Sequence, residues 1–117
     1  MKEDTKIRRL FEVVEAVTGV TRNAIVSHSR VREHYFARMI VAYHLYRYGY
    51  AVTKIRYHTG TMAATSVLRQ IKGYRNERTP YFRNCAKRVE EILSSETEER
   101  DYTLKGHKIT NINSISG

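Results

Sequence analysis

Apolar positions recur at intervals of three and four residues through most of this chain, the spacing of one face of an α-helix. Ile7, Leu10, Phe11, Val14 and Val17 form the first such stripe, and Arg8, Arg9, Glu12 and Glu15 alternate in sign on the opposite, solvated face. Asp4 or Thr5 stands where a helix cap belongs, and Gly19 stands where the helix must stop. Thr21 is placed to cap a short helix through Ala24, Ile25 and Val26, and the polar, basic residues 27–32 predict a loop. A long helix follows from about residue 33 to residue 47, with Phe36, Ile40, Tyr43 and Tyr50 on one face, joined by Met39 and Tyr46. Gly49 punctuates its end.

Residues 52–75 read as two helices broken at Thr59-Gly60-Thr61. The first is short, with Val52, Ile55 and Tyr57 as its apolar contacts. The second starts near Met62 and carries Val67, Leu68, Ile71 and Tyr74 as a core-facing stripe, with Thr65, Ser66, Arg69 and Lys72 on its other side. A glycine between a short helix and a longer one is what a helix-turn-helix needs, because the chain must reverse without a Cβ clash. The same pattern also describes any pair of antiparallel helices. Thr79-Pro80 then stops one helix and starts another, since proline is tolerated in a first turn. Phe82, Cys85, Ala86, Val89, Ile92 and Leu93 make its apolar stripe to about Ser94. Residues 96–117 have no sustained period and read as a frayed or docked polar tail. No segment predicts a strand. The expectation is a compact all-α domain of five or six helices over residues 1–95, followed by the tail.

Charge adds a partner class. The 117 residues carry 21 Lys/Arg and 12 Asp/Glu, a net charge of +9. Between Arg22 and Arg88, 14 basic residues face only Glu33 and Glu77, a local net of +12. A cationic middle with ordinary hydrophobic content is the footprint of a polyanion binder, whether DNA, RNA or an acidic membrane surface. Cys85 stands alone, which rules out an internal disulfide and fits a reducing cytoplasm. Charges in the first nine residues replace the apolar run of a secretion signal, and no stretch is apolar enough to span a membrane.

Three groups carry the nucleic-acid case. Arg30 and Arg32, one residue apart in the basic loop, suit phosphates or a narrow minor groove, the alternative being a solvated loop. Lys54 and Arg56, with the backbone N–H groups at the start of the second helix and the hydroxyls of Thr65 and Ser66, suit phosphate and base-edge contacts. Helix capping is the alternative for the two hydroxyls. Arg69 and Lys72, with Arg75 and Arg78 beyond them, are phosphate neighbours or plain surface. The tyrosines at helical spacing (Tyr43, Tyr46, Tyr50) are read as core packing rather than base stacking. His58 reads as a surface or capping residue of the turn, and Cys85 as a small core residue. No histidine has metal-ligand spacing to a thiol, carboxylates are scarce in the basic middle, and there is no glycine-rich phosphate loop. No enzymatic activity, cofactor or small-molecule substrate is expected.

In their order, these residues resemble the C-terminal DNA-binding domain of the bacterial replication initiator DnaA, over residues of about 5–95. That domain is all-α, with a helix-turn-helix of the Trp-repressor-like type. The basic loop looks like residues 27–32, and the long helix is similar at Ala37-Arg38-Met39-Ile40-Val41-Ala42-Tyr43. Val52-Thr53-Lys54-Ile55-Arg56 matches the family's L-P-x-I-G segment, and the spacing from Ile55 to Val67 fits without a gap. Gly60-Thr61-Met62-Ala63-Ala64-Thr65-Ser66-Val67 then occupies its G-G-R-D-H-T-T-V signature. The resemblance implies that Arg30 reaches the minor groove, that Thr53 and Lys54 lie against phosphates, and that Thr65 and Ser66 meet major-groove bases. Met62-Ala63-Ala64 replace the family's Arg-Asp-His, so its standard box is not the expected site, and Arg56 replaces a glycine. The expected function is stand-alone binding of double-stranded DNA, in transcription or replication of a bacterium or mobile element. A helical protein-interaction module with weak, unselective DNA binding is the alternative, its partner another protein or a second copy. RNA binding ranks last, because an A-form major groove does not admit a helix.

Overall fold

A helix needs both a buried face and satisfied ends, and the first helix has both. In the computed structural model, which describes residues 4–105 with side chains through Glu96, α1 (Thr5–Thr18) is capped by Asp4, whose carboxylate accepts from the Lys6 N–H at 2.8 Å. Gly19, at φ 75°, closes its far end and donates to the Glu15 carbonyl. Ile7, Leu10, Phe11, Val13 and Val14 are buried along it. The short α2 (Arg22–Val26) is capped by the Thr21 hydroxyl and buries Ile25.

The centre of the molecule is α3 (Arg32–Arg47), which packs against α1, α2, α4 and α5. Every residue from Phe36 to Leu45 is buried, so this helix presents no single apolar face but a ring of them. The expected stripe was therefore too narrow: Ala37, Val41, Ala42 and Leu45 also enter the core, while Tyr46 lies 45% exposed, past the ring of neighbours. A helix enclosed on all sides loses its amphipathic signature.

Next come α4 (Val52–Thr59) and α5 (Ala64–Asn76), joined by a short turn at Gly60, and then α6 (Pro80–Lys105). α5 buries Val67, Gln70, Ile71 and Tyr74 against α3. Tyr43 and Tyr74 stack at 3.8 Å between ring centroids, with Phe82 of α6 edge-on to Tyr74. Cys85 is buried in this core. Two further expected core residues are not there. Tyr57 is 81% exposed and Leu68 is 52% exposed, because each lies one position off the buried side of its helix. α6 continues past the expected end near Ser94 to Lys105, and Arg9 of α1 pairs with its Glu96. The part of the expected tail beyond Lys105 lies outside the described residues, as does the charged start of the chain through residue 3. Among the described residues there is no strand, and no helix is long and apolar enough to cross a membrane.

Candidate nucleic-acid interface

The turn between α4 and α5 is held by backbone geometry that only glycine provides. Gly60 adopts φ 68°, and a Cβ there would sit 2.2 Å from the Val26 carbonyl oxygen. This contact presses the turn against the end of α2, from which the basic loop departs. Thr59 and Thr61 join hydroxyls at 2.6 Å, Thr59 also donates to the Ile55 carbonyl, and the Gln70 amide donates to Thr61 Oγ1 at 3.3 Å. Arg56, half-buried, donates from Nη2 to the Met62 carbonyl at 2.7 Å. Arg56 thereby braces the turn that leads into α5.

The basic loop is braced in the same way. Arg38 is buried in α3 and donates to the Ile25 carbonyl from Nε and to the Ser27 carbonyl from Nη2, both at 2.7 Å. Ser27 Oγ accepts from the Ser29 N–H, and Ser29 Oγ accepts from the Val31 N–H and meets His34 Nδ1 at 2.9 Å. Loop and turn thereby line one cleft of about 220 Å³, with Ser27 and His28 on one side and Gly60, Thr61, Met62, Ser66 and Arg69 on the other.

Around this cleft the expected residues divide. Arg30, Thr53, Lys54, Met62, Ala63, Ala64, Thr65, Arg69 and Lys72 are exposed, and Ser66 is half-buried. Arg32 is the first residue of α3 rather than part of the loop. It turns toward the α5–α6 junction, with Nη2 3.3 Å from Thr79 Oγ1 and its guanidinium over the Phe36 ring. Lys54 lies beside the Tyr50 ring. The residue at the cap of α5 is Ala63, and no side chain accepts from its first turn, so Thr65 and Ser66 do not cap the helix.

Three interior polar residues were not foreseen as structural. Arg38 and Gln70 brace the site, and His58 is buried near the end of α4 rather than on the surface. Arg38 had a visible signal: it interrupts an otherwise apolar run from Phe36 to Tyr43, where a charge must be satisfied to be tolerated.

No family model, curated protein or solved structure matches this chain. Among the described residues no three His, Cys, Asp or Glu side chains cluster as metal ligands do.

Proposed function

We propose that this chain binds double-stranded DNA, with α4, the Gly60 turn and α5 acting as a helix-turn-helix of the Trp-repressor-like type. In this reading α5 enters the major groove by its first turns, and Arg30 reaches phosphates or the neighbouring minor groove. The observation that carries it is the union of two basic elements at one cleft. The exposed, uncapped start of α5 lies beside the Arg30 loop because Gly60 is seated on Val26. Unpaired N–H groups at a helix start favour anions, and Arg69 and Lys72 extend the positive potential along the exposed face. Such a module fits the resemblance to the DnaA C-terminal domain and a role in transcription or replication in a bacterium or mobile element.

Selection of bound sequences from a random duplex pool, followed by salt titration against a scrambled duplex, tests the reading. A site-specific binder enriches a motif and holds it well above the scrambled duplex at moderate salt. Equal, salt-sensitive binding to both duplexes contradicts base reading. A second reading, a protein-interaction module, is favoured by the exposed Tyr57, Met62 and Leu68, since large apolar side chains are depleted from surfaces that meet only water. It predicts saturable binding to a protein partner that survives salt and is unaffected by competing duplex.

A further inference from the structure

We infer that the start of α5 and the turn before it identify the site by the 5-methyl groups of thymines, contacted through Met62, Ala63 and Ala64. The inference rests on the major-groove reading above and names what is read there. A helix that met phosphates alone would lead with polar or cationic side chains. The leading residues here are apolar and uncovered: Met62 is 73% exposed, Ala63 and Ala64 are exposed, and Leu68, one turn beyond Ala64, is also open. Cations rim this apolar tip, with Arg69 in the same cleft and Lys72 further along the helix, and the charge complements a polyanion rather than an apolar protein groove. The tip is also held in position. Arg56 fixes the Met62 carbonyl, and Gly60 seats the preceding turn on Val26.

In the major groove only thymine presents a methyl group, and a short apolar side chain is the group that contacts it. A second observation points to the same base pair. Gln70 lines the cleft beside Met62 and Ser66, is only 5% exposed, and its Oε1 has no partner. A buried acceptor calls for a donor. The adenine amino group is the donor paired with thymine in the same groove, and it reaches Gln70 once the side chain turns outward, because Oε1 is covered in the free protein.

The test uses the full chain and the duplex enriched by selection. Each thymine of that site is replaced in turn by deoxyuridine, which removes the methyl and leaves the hydrogen-bonding edge intact. The expected result is a loss of about four-fold in affinity at one or two positions, the equivalent of one buried methyl each, with scrambled duplex unaffected. Met62→Ala should reduce that sensitivity to less than about two-fold while keeping the wild-type melting temperature. If the enriched site stays preferred and no deoxyuridine position changes affinity, the inference is overturned while DNA reading stands. If no duplex is enriched at all, both fail.

Discussion

Arg38 illustrates how a single side chain sets the geometry of the site. Its guanidinium satisfies two carbonyls at the end of α2, and removing it leaves Ile25 and Ser27 unpaired next to the core. Arg38→Met should cost about 3 kcal/mol of stability by denaturant unfolding, and should weaken duplex binding more than Arg32→Ala, since Arg32 is turned toward Thr79. Gly60→Ala combines a left-handed backbone with a clash against Val26, and should cost at least about 2 kcal/mol. His44 makes the pH prediction. Burial holds its pKa down at about 4, opposed by Glu90 and helped to a lesser extent by Arg47. The folded state thus excludes a proton that the unfolded chain takes up near pH 6.5. His44 lets the fold keep its full stability above that pH, and stability declines as pH falls toward about 4, by up to about 3 kcal/mol. Unfolding measured across this window should be flatter in a His44→Phe variant, which keeps a ring against Tyr43 and Tyr74.

At the scale of the elements, caps and punctuating glycines were the most legible features. Asp4, Thr21, Gly19 and Gly60 begin or end helices where local chemistry requires. Side-chain direction was less legible. The period of α5 groups Leu68 with Val67 and Ile71, yet only the neighbouring helices decide which edge of a wide stripe is covered, and Leu68 falls outside. Tyr46 and Tyr57 were misplaced for the same reason. The length of α6 was hidden too, because charged residues can continue a helix that has no apolar face to announce it. In the candidate site, the exposed start of α5 and the Arg30 loop were readable from residue type and order. The bracing roles of Arg56 and Gln70 were not, since they depend on a turn folding back on its own helices. Ser66→Ala should alter base preference in a selection experiment more than it alters affinity for scrambled DNA, because its hydroxyl is not consumed in capping.

The molecule as a whole separates its charges. Acids on α1 and α6 engage basic side chains there, as in Arg9 with Glu12 and Glu96, and such exposed pairs add little stability. Arg30, Lys54, Arg69 and Lys72 remain exposed, Arg69 lining the cleft and Lys54 lying beside Tyr50, while Arg32 and Arg56 engage Thr79 and Met62. Four phosphate contacts predict a log–log dependence of affinity on salt with a slope of about −4, and Lys72→Ala should lower its magnitude by about 1. A groove of about 1180 Å³ on the opposite set of helices, between α1, α3 and α6, mixes Lys6, Arg8 and Arg47 with Asp4, Glu12 and Glu90 and has no such single sign. The two surfaces therefore offer a direct comparison. Titration of the selected duplex into isotope-labelled protein, followed by amide chemical shifts, tests the central claim most directly. Perturbations should concentrate at Arg30, Lys54 and the stretch from Ala63 to Arg69, and leave α1 unmoved. Perturbations centred on α1 and the second groove, with α5 silent, would contradict it.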